Sequence, residues 1–283
     1  YLFFRDTNHD SRCHRDLYWQ NIYAIKTTPQ LYYQKHYVYQ MILLSFDIEE
    51  FDMPLEYHTS INFNDQIRIS IAGTTRILDL LKKHQIKATF FSTVIFAENA
   101  PEIIKRLVNE GHELASHTYY HSQFEDEHIL QSKLRLEELS GARVLGFRMP
   151  RMAPVKNELL AAAGYTYNSS LNPTYLPGRY NHFNEKRTHF TKENVLQIPA
   201  SVSPIIRFPL FWLSFHNLPL SIYQYLCAKT YLKDGYLNLY FHPWEFTDLS
   251  DKKRFGLPSY VSRNSGIQME KRMDTFITNM KAK

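Results

Sequence analysis

Ionisable side chains follow three strand-like runs of the sequence, at residues 41–50, 112–121 and 237–245. In each run an apolar stretch leads into histidines or acids, the residue types that bind metal ions and move protons. The carboxyl ends of parallel strands are where α/β folds gather such groups. We therefore expect the three runs to meet and to form most of the site of a metal-dependent hydrolase.

Two histidines four residues apart are the first candidate metal ligands. His117 and His121 stand in the segment Ser-His-Thr-Tyr-Tyr-His. On a helical turn this spacing places both imidazoles on one side, where they can share Zn²⁺ or a similar ion. The spacing alone is common in a chain with 13 histidines. The pair directly follows an apolar strand, however, and this position favours a metal site over two unrelated histidines.

The acids after the first strand are the second candidate group. Side chains alternate along extended backbone, so Asp47 and Glu49 share a face while Glu50 points away. One acid would complete a site of two histidines and one carboxylate, and its neighbour would serve as a base. A bulge would instead make Glu50 the ligand. Paired carboxylates also hydrolyse glycosides, but that chemistry does not need the histidine pair.

Two further strand ends carry groups that could assist the acids. Arg148 follows a strand in Gly-Phe-Arg-Met-Pro, and a guanidinium beside a carboxylate fixes its orientation. For Arg151, which follows, a surface ion pair is the better interpretation. His242 ends the last strong strand and can act as a general acid near neutral pH.

Alternating strand-like and helix-like segments must position these groups. The predicted strands span residues 41–46, 88–93, 112–116, 143–147, 165–169, 195–199 and 235–242. The predicted helices span residues 75–83, 101–110, 129–139, 156–163 and 268–281. Repeated strand-then-helix units indicate a parallel sheet with right-handed crossovers. The predicted fold class is α/β, a distorted (β/α) barrel of about seven parallel strands.

The chain of 283 residues, 44% of them hydrophobic, is long enough for one large domain. Residues 1–40 lack a steady period, so we predict a loosely ordered N-terminal extension before a catalytic domain at 41–283. Residues 172–193 form a long loop. The apolar insertion at 201–226 is broken by prolines and polar residues, which favours a buried or lid segment over a membrane span. Peripheral contact with a lipid surface is the weaker alternative.

Charge and cysteine content narrow the class of protein. The net charge is +5, but lysines and arginines are scattered and no basic run interleaves with aromatic residues, which argues against nucleic-acid binding. Cys13 and Cys227 are too few for a disulfide framework. The first residues do not resemble a secretory signal. We therefore expect a cytoplasmic protein.

Together these segments resemble the polysaccharide deacetylase family, which has the NodB-homology fold of metal-dependent carbohydrate esterases. The resemblance covers residues 41–280 and rests on four motifs in the family's order. These are Ser-Phe-Asp47-Ile-Glu49, the pair His117 and His121, Gly-Phe-Arg148-Met-Pro150, and Tyr-Phe-His242-Pro-Trp-Glu.

The resemblance implies one divalent ion held by Glu49, His117 and His121, with Zn²⁺ expected and cobalt, nickel or iron as alternatives. It implies hydrolysis of N-acetyl groups, rather than O-acetyl groups, on an amino-sugar glycan or its lipid- or nucleotide-linked precursor. A small linear or cyclic amide is an alternative substrate. A sugar-binding module without activity is a second alternative.

The resemblance also assigns the proton transfers. Asp47 would be the catalytic base, steadied by Arg148, and His242 the catalytic acid. Family members commonly carry an acid near the fifth strand that tunes this histidine, whereas Asn168 stands there in this chain. Either another acid, such as Glu245, replaces it or His242 is tuned differently.

Overall fold

The computed structural model describes residues 24–26 and 41–281. The strands are β1 (Ala24–Lys26), β2 (Met41–Ile48), β3 (Thr89–Ser92), β4 (Glu113–Ser116), β5 (Gly146–Phe147), β6 (Tyr167–Asn168), β7 (Tyr175–Leu176), β8 (Tyr180–Asn181), β9 (Phe190–Lys192), β10 (Val195–Gln197) and β11 (Tyr236–Phe241). The helices are α1 (Met53–Glu56), α2 (Phe63–His84), α3 (Val94–Asn99), α4 (Pro101–Asn109), α5 (His128–Ser140), α6 (Asn157–Ala162), α7 (Trp212–Asn217), α8 (Leu220–Asp234), α9 (Lys252–Phe255), α10 (Ser259–Ser262) and α11 (Ile267–Lys281). Short 3-10 turns lie at Pro150–Met152 and Pro243–Phe246.

One curled sheet of nine strands organises the described residues. Its order is β1-β2-β3-β4-β5-β6-β10-β9, with β11 also paired to β2. Strands β2 to β6, β10 and β11 pair in parallel, whereas β1 and β9 pair antiparallel. The predicted α/β class and the predicted distorted barrel of about seven parallel strands are confirmed.

The two faces of the parallel strands bury different clusters, because side chains alternate along a strand. Ile42, Leu44 and Phe46 of β2 belong to a large cluster that fills the space between the sheet and the helices. Leu43 and Phe91 belong to a smaller cluster that comes from the strands and the residues beside them. This second cluster fills the barrel interior. We call the end of the interior at the carboxyl ends of the parallel strands the upper end, and the opposite end the lower end.

The barrel is bridged rather than fully paired between β10 and β11. The Ser201 backbone N–H donates to Asn238 O at 2.9 Å. The Asn238 side-chain amide donates to the carbonyls of Ile198 and Pro199 at 3.0 and 3.1 Å. The strand that carries His242 at its end is therefore fixed on both sides.

Helix α2 supports the turn after β11. Its N-terminus is capped by Asn62, whose side chain accepts a hydrogen bond from the Asp65 N–H at 2.8 Å. Gly73 lies against the Pro243–Phe246 turn so closely that an added Cβ would stand 1.8 Å from Pro243 O. Only glycine permits this approach, and it holds His242 at the upper end.

The predicted elements are found, with different lengths. The predicted helix at 75–83 is the second half of α2, and the strands predicted at 143–147 and 165–169 shorten to two residues each. The loop at 172–193 contains the hairpin β7–β8 and all of β9, while the insertion at 201–226 contains α7 and the start of α8. Among the described residues, no helix combines the length and apolarity that a membrane span requires.

Part of the predicted N-terminal extension lies outside the described residues, namely 1–23 and 27–40, together with Cys13. Its described portion, β1, pairs with the start of β2. The domain boundary at Met41 stays a prediction. Cys227 is a buried free thiol on α8, and burial raises its pKa well above the usual value.

Candidate metal centre and active site

Glu49, His117 and His121 meet at the upper end of the barrel. Nε2 of each histidine lies 3.1 Å from Oε2 of Glu49, and the three candidate ligand atoms all lie within 4.8 Å of one another. Two atoms that each bind one ion at about 2.1 Å stand about 3.0–3.4 Å apart. The two distances from the carboxylate oxygen to the histidine nitrogens therefore suit a shared divalent cation, and the three residues could hold a metal ion.

Hydrogen bonds to the other ring nitrogens prepare both histidines for this role. His117 Nδ1 donates to Arg148 O at 2.8 Å, and His121 Nδ1 lies 2.8 Å from Asp52 Oδ1. A carbonyl oxygen only accepts, so Nδ1 of His117 carries the proton and its Nε2 keeps a free lone pair. Partners of this kind fix the tautomer and the ring orientation of metal-binding histidines.

The charges of the cluster attract one another strongly. Burial alone would raise the pKa of Glu49, but His121 and His117 more than offset it and lower the pKa to about 2. Burial alone would lower the pKa of His121, but Glu49 and Asp52 raise it to about 9. The carboxylate thus stays ionised in a buried position, as a cation ligand must.

The histidine pair does not lie on a helical turn, and that prediction was wrong. Residues 117–121 form an irregular loop in which Thr118 has a φ of 66°. A positive φ is unfavourable for a β-branched residue. The loop is held by the first two residues of α3, whose backbone N–H groups donate to the carbonyls of Thr118 and Tyr119, both at 3.2 Å. These bonds return His121 over Glu49.

Asp47 lies beside the metal-ligand cluster and is oriented by Arg148. Nη1 of Arg148 donates to Asp47 Oδ1 at 2.6 Å. The guanidinium is itself fixed by Ser169, whose carbonyl and hydroxyl accept at 3.1 and 2.9 Å, and it stacks 4.0 Å from the Phe91 ring centroid. One oxygen of Asp47 is thus engaged, and the other faces the site.

His242 stands opposite this free oxygen. Its Nε2 lies 3.9 Å from Asp47 Oδ2, and its Nδ1 lies 3.0 Å from Glu245 Oε1. The ring stacks on Trp244 with centroids 4.9 Å apart and meets Trp212 edge-on at 5.6 Å. Burial by itself lowers the pKa of His242, but Glu245 and the charges of Glu49 and Asp47 raise it above 6.5.

The remaining sequence candidates lie beside the site rather than in it. Glu50 accepts a hydrogen bond from Thr93 at 2.6 Å and is not in the ligand cluster. Asn168 donates to the side-chain oxygen of Gln197 at 3.0 Å, whereas the carboxylate that His242 contacts is that of Glu245. Arg151 pairs with Glu56 at 2.7 Å and with Asp52 at 3.3 Å, so it is an ion-pair residue at the rim.

Sequence reasoning gave no role to four side chains that shape the site. These are Asp52, Ser122, Trp212 and His216. Asp52 accepts hydrogen bonds from Ser122 and from His121. Asp52 and Ser122 both stand close in sequence to residues that belong to the motifs. Trp212 and His216 belong to the insertion that only apolarity had marked, and no local spacing signals their contact with the end of β11.

The fold and the donor set define a class of protein, an α/β barrel with a two-histidine, one-carboxylate site at the carboxyl ends of its strands. The family model described as polysaccharide deacetylase matches residues 54–168. This match confirms the resemblance to that family that the sequence motifs indicated.

Two relatives are similar to parts of this chain in sequence, and one solved structure is similar to it in fold. A peptidoglycan-N-acetylglucosamine deacetylase of Bacillus cereus is 40% identical over 93 residues, 30% of this chain and 34% of that protein. A chitooligosaccharide deacetylase of Bradyrhizobium sp. is 35% identical over 81 residues, 29% of this chain and 36% of that protein. The matches span about a third of the length of these relatives. A solved structure described as a probable polysaccharide deacetylase from Pseudomonas aeruginosa PAO1 has the same fold, with a TM-score of 0.59, 17% identity, and coverage of 86% of this chain and 85% of that one.

Proposed function

We propose that this chain is a metal-dependent hydrolase that removes N-acetyl groups from an amino-sugar glycan or its lipid- or nucleotide-linked precursor. The observation that carries the proposal is the convergence of five groups at the upper end of the barrel. Glu49, His117 and His121 have ligand atoms within 4.8 Å of one another, and the gap of 3.9 Å between Asp47 and His242 lies beside them. The relatives named as deacetylases act on glycans of this chemical class.

Glu49, His117 and His121 would hold the ion. A divalent cation bound there polarises the acetamide carbonyl and makes water a better nucleophile near neutral pH. Two nitrogens and one carboxylate oxygen are a donor set that suits Zn²⁺ with an open position for substrate, and cobalt, nickel and iron accept the same donors. We propose Zn²⁺ as the native ion.

Asp47 acts as the base of the proposed reaction. Its Oδ2 takes a proton from the water molecule that attacks the acetyl carbon. Arg148 holds the other oxygen at 2.6 Å and keeps the carboxylate plane fixed during the transfer. A positioned base of this kind contributes about 10²- to 10⁴-fold in rate.

His242 acts as the acid. With Nδ1 directed at Glu245, its Nε2 is the nitrogen that faces the site and carries the proton to be donated. As the bond between the acetyl carbon and the sugar nitrogen breaks, this proton passes to the nitrogen. Acetate and a free amino sugar are the products, and Trp212 and Trp244 hold the imidazole ring in place.

The test is acetate release from N-acetylglucosamine oligomers by Zn²⁺-loaded protein, with and without chelator, beside a panel of small linear and cyclic ureides. Release from the oligomers that stops on chelation supports the proposal. Turnover of the ureides alone would replace the glycan with a small amide. Binding of the oligomers without turnover would establish a sugar-binding module instead.

A further inference from the structure

A buried histidine outside the proposed reaction contacts the partner of the catalytic acid. His216 lies on α7, within the apolar insertion, and is fully buried. Its Nε2 lies 2.8 Å from Glu245 Oε2, and its Nδ1 contacts Arg263 O. Of the described side chains, His216 and His242 are the two imidazoles that contact the Glu245 carboxylate.

The position of the protons follows from the partners. A carbonyl oxygen only accepts, so Nδ1 of His216 carries a proton and donates it to Arg263 O. A lone pair on Nε2 would then face the lone pairs of Glu245 at 2.8 Å. Two acceptors do not approach so closely without a proton between them. A neutral His216 beside an ionised Glu245 would have a single proton, on Nδ1. The contact between Nε2 and the carboxylate therefore needs one more proton, carried by the imidazole or by the carboxylate.

The second carboxylate oxygen is fully used by His242. Oε1 of Glu245 accepts from the His242 backbone N–H at 2.6 Å and from its Nδ1 at 3.0 Å. Burial by itself raises the pKa of Glu245, but His216 and His242 together lower it. With both oxygens engaged, the carboxylate cannot rotate without breaking a buried hydrogen bond.

We propose that His216 is a positioning residue for the acid, and that His216, Glu245 and His242 form a buried relay that fixes the His242 ring and carries one extra proton. The relay rests on the proposed function, because the role of His242 as acid belongs to it. The side chains of its first two members bond to each other, to Arg263 O and to His242, and not to the metal ligands. They act through His242.

The charge of the relay has a measurable consequence. The charged and titratable side chains that face it from other elements are Asp47, Glu49, Tyr240, Tyr223 and Arg272. The negative charge of the Glu245 carboxylate favours the protonated form of His242. The extra proton shared by His216 and Glu245 reduces that charge and so disfavours the protonated form of His242. Removing His216 as a proton carrier therefore moves the alkaline limb of kcat/KM to higher pH. Removing the Glu245 charge moves it to lower pH.

The experiment compares the pH profile of kcat/KM in metal-loaded wild type, His216→Gln, Glu245→Gln and the exposed control His58→Gln. His216→Gln keeps a side-chain donor to Glu245 but cannot carry a charge. We expect its alkaline limb to rise by about one pH unit and its kcat to fall about tenfold with KM little changed. We expect Glu245→Gln to shift the limb downward and His58→Gln to leave it in place. An unmoved limb in His216→Gln would reduce His216 to a structural role and overturn the relay.

A second measurement does not depend on activity. The ¹⁵N resonances of His216 in metal-loaded wild type report which ring nitrogens carry protons. The relay predicts a protonated Nδ1 and a protonated or proton-sharing Nε2 in the folded, metal-loaded protein. A free lone pair on Nε2 would contradict it even if deacetylation is confirmed. If turnover fails on every substrate while the ¹⁵N result holds, the proposed function is wrong and the proton arrangement stands.

Discussion

Acids are buried at both ends of the barrel interior, and the two ends surround them differently. At the upper end Asp47 faces the Arg148 guanidinium at 2.6 Å, and Glu49 faces two imidazoles at 3.1 Å. At the lower end Glu113, at the start of β4, accepts a hydrogen bond from the Thr89 hydroxyl at 2.7 Å, and no described lysine, arginine or histidine forms an ion pair with it. Burial raises the pKa of Glu113 to about 7, whereas that of Glu49 falls to about 2.

The difference teaches what makes a buried acid useful for metal binding and proton transfer. Transfer from water disfavours a charged carboxylate at either end. At the upper end the Arg148 guanidinium and the imidazoles of His117 and His121 offset this cost, because these residues directly follow strands and lie near the acids. At the lower end the neutral hydroxyl of Thr89 does not offset the cost of burying a charged carboxylate. The predictions below test this contrast, from the largest expected effect to the smallest.

Removing the ion is expected to have the largest effect. Because the three donors would hold the cation beside Asp47, chelation should reduce acetate release to background, and Zn²⁺ should restore it. The hydrophobic cores do not contain these donors, so far-ultraviolet circular dichroism should change little. Full activity in protein whose metal content has fallen to background would break the assignment.

Replacing the proposed base should follow. Asp47→Asn keeps the shape of the side chain but cannot take a proton, so kcat should fall by about 10²- to 10⁴-fold. Glu113→Gln is the matched acid-to-amide change at the lower end, and we expect its kcat to stay within about twofold of wild type. Equal losses in both variants would show that the two ends do not differ in this way.

The hydrogen bond behind His121 should affect the metal rather than the chemistry. Asp52→Asn removes the charge that orients His121 at 2.8 Å, and loss of such a partner weakens metal binding by about 10- to 100-fold. Competition with a fluorescent zinc chelator measures this change. Asp65→Asn, which alters a surface acid that pairs with Arg68, is the control. Similar affinities for both variants would contradict a role for Asp52.

The smallest effect concerns stability at the lower end. The folded-state pKa of Glu113 is raised from 4.5 to about 7, so between these values the folded protein binds a proton that the unfolded chain has lost. The free energy of unfolding should therefore fall as pH rises through this window, by up to about 3 kcal/mol. Urea denaturation at pH 5 and pH 8 should show a weaker fall for Glu113→Gln. Parallel pH dependence in both proteins would refute the raised pKa.

Much of the upper end could be predicted from the sequence, because strand periodicity is local. The apolar runs before Asp47, Arg148 and His242 indicated strands, and parallel strands bring their carboxyl ends together. Alternation also separated Glu49 from Glu50, and the structure places only Glu49 in the ligand cluster. These inferences needed no knowledge of loop conformation.

The remaining contacts depend on long-range packing. The loop between His117 and His121 takes its shape from Thr118 at positive φ and from backbone bonds to α3, which spacing does not encode. His216 and Glu245 are brought together by the packing of α7 against the end of β11. β5 and β6 pair with each other over only two residues, although the apolar pattern of the sequence extends further.

Metal stoichiometry in matched variants tests the central assignment most directly. Elemental analysis of purified, Zn²⁺-loaded protein should give one ion per chain for wild type, Asp47→Asn and Glu50→Gln. It should give almost none for Glu49→Gln and His121→Asn, because each removes one of the three donors that lie within 4.8 Å of one another. A full ion in Glu49→Gln together with loss of the ion in Glu50→Gln would contradict the proposed metal centre.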